Sequence, residues 1–149
     1  MVVACRAALP ADSAFLRRFP CSFATPWERR ARELVAELGQ DVRRTPPLYR
    51  TIIAANEDQI VGALGWQIND EDTSIADGLV VAVATTARRQ GVARLLIERF
   101  LTDAANVGCI AAINVVHHQN TPMLRFWRAF GAVEDDDDDV RFKLFTMPL

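Results

Sequence analysis

Arg88-Arg89-Gln90-Gly91-Val92-Ala93-Arg94 stands between an apolar run that ends at Ala84 and an apolar stretch that resumes at Leu95, and it could hold a diphosphate. Where a strand gives way to a helix, the first helical N–H groups lack intrahelical partners and the helix dipole favours an anion. Small Gly91 and Ala93 let an anion approach the N–H groups of Arg89 through Arg94, and the charges of Arg88, Arg89 and Arg94 favour the same occupant. Without a ligand the same residues make a basic strand-to-helix turn. Terminal phosphates with magnesium need Gly-Lys-Ser/Thr, and dinucleotide sites need Gly-x-Gly-x-x-Gly. Neither occurs here.

The elements that must position this segment alternate between strand and helix patterns. Residues 2–9 predict a first strand, and residues 10–13 supply helix-starting types ahead of Phe15, Leu16 and Phe19. A second helix runs from Pro26 or Trp27 to Leu38, with Leu34, Val35 and Leu38 at helical spacing and Gly39 placed to end it. Residues 49–55 and 59–68 are β-rich and flank Asn56-Glu57-Asp58, which predicts a hairpin with a three-residue connection. The nearly unbroken apolar run 75–84 reads as a central strand covered on both faces. From Ala93 a helix carries Ile97, Phe100, Leu101 and Ala104 on one face and ends near Gly108. Residues 109–116 return as a strand, which suggests a β-α-β crossover. Thr121-Pro122 opens a short helix with Leu124, Phe126, Trp127 and Phe130, closed by Gly131, and residues 132–134 and 140–145 finish the sheet.

Two patterns at a definite separation carry a resemblance to a known family. Arg88-x-x-Gly91-x-Ala93 is followed, one strand later, by Asn120 and a helix bearing Phe126, Trp127 and Gly131. Together they resemble the GCN5-related N-acetyltransferase (GNAT) superfamily; the specific motifs occupy residues 77–132, and the order of elements covers essentially the whole chain. The resemblance implies one α/β (α+β) domain over residues 1–149, with a mixed, mostly antiparallel central sheet flanked by helices and splayed between its fourth and fifth strands. It implies acetyl-CoA as co-substrate and direct acetyl transfer to a primary amine, either a small cationic amine or a protein amine. The diphosphate would then lie on Arg88, Arg89, Gln90, Gly91, Val92, Ala93 and Arg94. The pantetheine arm would pair with backbone of Val81, Ala82 and Val83. Asn120 would meet the arm near its thioester, and a strand N–H would polarise the developing oxyanion. No covalent intermediate is needed, so Cys109 need not be a nucleophile.

An amine acceptor is mostly protonated near neutral pH, so a base or a water chain to one is required. Asp77 lies eleven residues before Arg88, where histone-type members of the superfamily place a glutamate base. The shorter aspartate would act through water, and Asp77-Gly78 is also a common turn dipeptide. His117 and His118 close the strand beside the implied thioester site; alternation sends them to opposite faces, so at most one faces the cleft. Asp77 and His118 are the catalytic candidates. Many members carry tyrosine where this chain has Trp127, and its hydroxyl protonates the departing thiolate. An indole N–H donates a hydrogen bond but is no practical proton source. Tyr49, the sole tyrosine, lies outside the motif. Trp127 therefore motivates a second reading, a noncatalytic acyl-CoA-binding sensor.

With 149 residues, half of them apolar, the chain suits one domain with a sizeable core. Its net charge of −2 argues against a general nucleic-acid binder, although nine arginines face five acids in residues 1–50. Of these, Arg17, Arg18, Arg29, Arg30 and Arg32 sit in helical patterns, as surface residues would. No run approaches a membrane span, and the N-terminal residues make a poor signal peptide, which suggests a soluble cytoplasmic protein with no membrane or nucleic-acid partner. Three widely spaced cysteines suit neither a disulfide framework nor zinc, and adjacent histidines chelate poorly, so no metal is expected. A homodimer is compatible with the sequence. The six carboxylates of residues 134–139 would attract a cationic acceptor if they border its entrance; otherwise they form a solvated loop.

Overall fold

The computed structural model describes residues 2–21 and 25–149. In chain order these form β1 (Val3–Ala7), α1 (Ser13–Leu16), α2 (Pro26–Asp41), β2 (Arg50–Asn56), β3 (Gln59–Ile68), β4 (Ile75–Val83), α3 (Val92–Asn106), β5 (Ala111–His117), α4 (Thr121–Ala129), β6 (Val133–Asp136) and β7 (Phe142–Pro148). Short 3-10 turns occupy Pro10–Asp12 and Thr85–Ala87. All strands join one seven-stranded sheet in the order β1-β2-β3-β4-β5-β7-β6. Only β4 and β5 run parallel. The mixed, mostly antiparallel sheet read from the sequence is therefore the observed one.

Consecutive residues of β3 show how the layers form, because strand neighbours point to opposite faces. Gly65 lies under Leu38 of α2, where an added Cβ would come within 2.5 Å of that side chain. Trp66 turns the other way and meets Phe100 of α3 at 5.3 Å between ring centroids. The core consequently has two halves, with Leu16, Phe19, Val35 and Leu38 on the α2 side and Trp66, Leu96, Ile97 and Phe100 on the α3 side, all fully buried. Each such side chain stabilises the fold by about 1.5–3 kcal/mol on burial.

Several expected boundaries move, each for a physical reason. Gly39 does not end α2, which continues to Asp41. Its missing side chain gives room to α1: a Cβ there would lie 3.0 Å from Arg17 and Leu16, and Ser13 Oγ donates to the Gly39 carbonyl. The β2–β3 connection has two residues, not three, because Asn56 already pairs with Gln59 while Glu57 takes φ 53°. The helix after the phosphate-type turn starts at Val92, one residue early, with a 3-10 turn between it and the strand. β4 is not covered on both faces: Ala76, Val80 and Ala82 are buried while Leu79, Val81 and Val83 are only half-buried. The cause is the loss of its β5 neighbour partway along.

Candidate active site

The sheet parts at a defined residue pair. β4 and β5 are matched from Ile75 with Ala111 to Gly78 with Asn114 and no further. Beyond that point Leu79–Val83 stay with β3 while Val115–His117 stay with β7. Two local features enforce the split. On the β3 side Trp66 pairs with Gly78 and Gly65 with Val80, so Leu79 is an extra, bulged residue that bends the strand. On the β5 side the Asn114 side-chain amide donates to the Gly78 carbonyl at 3.2 Å, taking up that acceptor where the ladder ends. A Cβ on residue 78 would lie 2.8 Å from the same amide nitrogen, so glycine is what lets Asn114 in. The β5-facing edge of Val81, Ala82 and Val83 is left without a strand partner, and an extended amide-bearing arm can pair there.

At the far end of β4 the chain passes through the turn Thr85–Ala87 and then takes left-handed backbone at Arg89 (φ 61°) and Gly91 (φ 76°) before α3. Gly91 caps α3 with no side chain, and a Cβ built on it meets nothing within 4 Å. The first N–H groups of Val92, Ala93 and Arg94 have no acceptor within the helix and stand at the positive end of a 15-residue helix. Two of the three arginines are engaged elsewhere. Arg88 lies 3.9 Å from Glu28 of α2, and Arg94 pairs with Glu98 at 2.9 Å while its guanidinium stands 5.3 Å from the Phe130 ring centroid. Arg89 forms no ion pair among the described residues and is exposed, as is Gln90. Asn120 caps α4 by its backbone only, so its half-buried side chain is not committed to the helix.

Asp77 is half-buried on β4, one residue before the strands part, on the face opposite Trp66. Burial pushes its carboxyl above the ordinary carboxylate value, Asn69 opposes this, and the charge of Asp70 reinforces it. Asn69 Nδ2 donates to both Asp77 oxygens, at 3.0 and 3.3 Å. His118 is exposed, with Nδ1 2.7 Å from the Arg141 carbonyl; that nitrogen must carry the proton of the neutral ring, leaving Nε2 as acceptor. His117 Nδ1 accepts from the Gln119 N–H at 3.1 Å, so its Nε2 is protonated. Burial lowers the His117 pKa first, with the charges of His118 and Arg141 adding to it. The two imidazoles do not diverge as strand alternation predicts; they stack at 4.7 Å, because β5 stops at His117 and His118 lies in the turn. Trp27 of α2 stacks on His117 at 5.3 Å.

The acidic run is half neutralised by its own neighbours. Glu134 pairs with Arg128 at 2.7 Å, Asp136 with Lys143 and Asp139 with Arg141. The Arg141 guanidinium holds the Asp139 carboxyl down at about 2. This leaves Asp135, Asp137 and Asp138 without an ion pair among the described residues, so three of the six carboxylates expected either to attract a cation or to form a solvated loop are already matched by neighbouring basic side chains. Sequence reasoning did not single out Trp27, Glu28, Asn69 or Asn114. Only Thr25-x-x-Glu28 carried a local signal, as a helix start: Thr25 Oγ1 accepts from the Glu28 N–H at 3.3 Å.

A parallel strand pair that opens toward the bare, glycine-capped start of the following helix is the architecture of an acyl-CoA-dependent acyltransferase. The chain belongs to the acetyltransferase (GNAT) family, which it matches over residues 13–132. It is accordingly an acetyl-CoA-dependent acetyltransferase. No curated protein matches it. Solved structures share the fold. An acetyltransferase from Thermus thermophilus is 20% identical with a TM-score of 0.76, covering 100% of this chain and 98% of that one. PaiA N-acetyltransferase from Thermoplasma acidophilum, in complex with coenzyme A, is 13% identical with a TM-score of 0.80, covering 100% of both chains. The ribosomal-protein-S18-alanine N-acetyltransferase from Escherichia coli is 16% identical with a TM-score of 0.70, covering 99% of this chain and 93% of that one.

Proposed function

We propose that residues 1–149 act as one N-acetyltransferase domain that moves acetyl from acetyl-CoA directly to a primary amine. The observation that carries this reading is the break in β4–β5 pairing after Gly78 and Asn114, which frees a strand edge leading to the Gly91 cap. The diphosphate lies on the turn Arg88, Arg89, Gln90, Gly91, Val92, Ala93 and Arg94, with the N–H groups of Val92 through Arg94 as its main donors. The pantetheine arm follows Val81, Ala82 and Val83, and Asn120 meets it near the thioester. The amine lone pair attacks the thioester carbonyl carbon, a C–N bond forms, and collapse breaks the C–S bond with its electron pair leaving on sulfur. The proton lost by the amine passes through water to Asp77, whose raised pKa suits a base. His118, with Nε2 free as an acceptor, is the second candidate.

The acceptor is a small cationic amine or a protein amine. Asp135, Asp137 and Asp138 favour a cation, and the protein is expected to work in the cytoplasm, without nucleic acid, membrane or metal, as a monomer or homodimer. No described helix is long and apolar enough to cross a membrane. A second reading, an acyl-CoA-binding sensor without turnover, is favoured by one observation, the indole of Trp127 at the position of the expected proton donor. An acetyl-CoA thermal shift followed by free-thiol release across an amine panel separates the two. Binding with turnover supports the enzyme, binding without turnover on any amine supports the sensor, and no binding overturns both.

A further inference from the structure

The half of the sheet formed by β5, β7 and β6 has two unlike faces. On one of them α4 packs down, with Trp127 stacked on Phe145 at 6.4 Å. On the other, directly opposed residues fall into two rows, because paired strand residues share a face. The first row runs from Asp77 through Ile113 and Thr146 to Val133, and the second from Val115 through Leu144 to Asp135. Val115 is 45% and Val133 55% exposed, so no packed layer closes this face. Single apolar side chains on a surface need no partner, but these stand side by side and in line with Asp77, the base proposed above.

Charge on this face is confined to its two ends. Asp77 stands at the opening, and Asp135 stands on the outermost strand, exposed and without an ion pair among the described residues. Glu134 and Asp136 belong to the other face, where Arg128 and Lys143 take them up. A polyamine, with ammonium groups spaced along its whole length, would set cations against Ile113, Val115 and Leu144, and desolvating a charge without a partner is costly. An acceptor that is apolar between its reactive amine and its next charge meets no such cost. With about 4.8 Å between strands, the row from Asp77 to Val133 is about 14 Å, which an extended chain crosses in about four residues. The sheet ends at β6, so a longer acceptor runs on past Asp135 into solvent. We infer that the acceptor is the N-terminal α-amine of a polypeptide whose leading side chains are apolar and lie on Ile113, Val115 and Leu144, with a basic residue near the fourth position meeting Asp135. This rests on the acetyl-CoA site proposed above. An α-amine also suits a carboxylate base, since its pKa of about 8 leaves more of it unprotonated near neutrality than the roughly 10.4 of a lysine amine.

The test measures kcat/KM of the full chain, at saturating acetyl-CoA, on hexapeptides with a free α-amine and on two simple amines. One peptide begins Met-Ile and another Ser-Asp, both with arginine fourth; the simple amines are spermidine and hexylamine. The Met-Ile peptide should exceed each of the others by about tenfold or more, the worth of one buried apolar side chain. Equal or better turnover of spermidine, of the Ser-Asp peptide or of hexylamine overturns the inference and leaves the acetyl-CoA site standing. On the protein side, Val115→Asp should raise KM for the Met-Ile peptide about tenfold with acetyl-CoA affinity retained. If Val115→Asp unfolds the chain, Asp135→Lys at its exposed edge position makes the comparison: it should reverse the preference at the fourth peptide position from arginine to glutamate, which a merely structural role of Asp135 would not do. An unchanged preference overturns the inference. Binding of acetyl-CoA without turnover of any of these amines overturns it as well, and failure of the unaltered chain to bind acetyl-CoA overturns both it and the site on which it rests.

Discussion

Asp77 carries opposite signs for stability and for catalysis, and that makes its role measurable. Burial holds its carboxyl above the ordinary value, so between that value and the raised one the folded chain keeps a proton that the unfolded chain releases. Stability is therefore lost as pH rises through this window, and the ionised Asp77 burdens the fold near neutrality. As a general base it must nevertheless be ionised. Asp77→Asn should raise the melting temperature at neutral pH, remove the acid limb of kcat/KM that reports this group, and lower kcat about a hundredfold. Equal turnover by the variant across pH would take Asp77 out of the reaction. Asp77 was visible in the sequence through its distance from Arg88. Its partner Asn69 was not, because the two meet only after the chain turns between β3 and β4. Asn114 was hidden for the same reason: its partner Gly78 is 36 residues away, and only the strand register brings them together.

At the scale of elements, the start of α3 shows how a glycine can be read correctly in place and incompletely in purpose. Gly91 was expected to let an anion approach; the structure adds that it sits at φ 76°, a conformation that costs other residues about 1–2 kcal/mol. Gly91→Ala should lower stability by about 1 kcal/mol in urea unfolding and weaken acetyl-CoA binding about tenfold in titration calorimetry, since the methyl enters the space left for the diphosphate. A loss of stability with full affinity would move the diphosphate away from this cap. Gly39 looked equally suited to end a helix and proved to be a contact between helices. Sequence pattern does not distinguish a glycine needed for its backbone angle from one needed for its absent side chain. The difference lies in what crosses the residue, here α1. The arginines teach a related point, since charge near the turn was legible but the pairing of Arg88 with Glu28 depends on where α2 lands.

Across the whole molecule, the succession of elements along the chain and the parallel step were legible because hydrophobic runs of strand and helix length alternate in a family-like sequence. The width of the opening was not, because it depends on a bulge at Leu79 and a side-chain bond from Asn114, neither of which has a periodic signature. The continuous apolar run of β4 was read as a strand covered on both sides; its half-buried Leu79, Val81 and Val83 instead border the gap. Apolar surface and unpaired backbone are tolerable together at one place because a ligand can cover both. Two halves of one sheet, β1–β4 and β5–β7, are paired with each other over the short stretch from Ile75 to Gly78, flanked by a bond from the Ile110 N–H to the Ser74 carbonyl. A donor lying in the gap and on the α3 cap would contact two segments distant from each other in sequence. Hydrogen exchange with saturating acetyl-CoA should therefore slow most at residues 81–83 and at Val92, Ala93 and Arg94, with the β1–β2 amides changing least. Global stabilisation by the ligand would act on every slowly exchanging amide alike, so the fast, locally opening amides are the ones to follow. Protection confined to the β1–β2 side would place the donor outside the opening between β4 and β5.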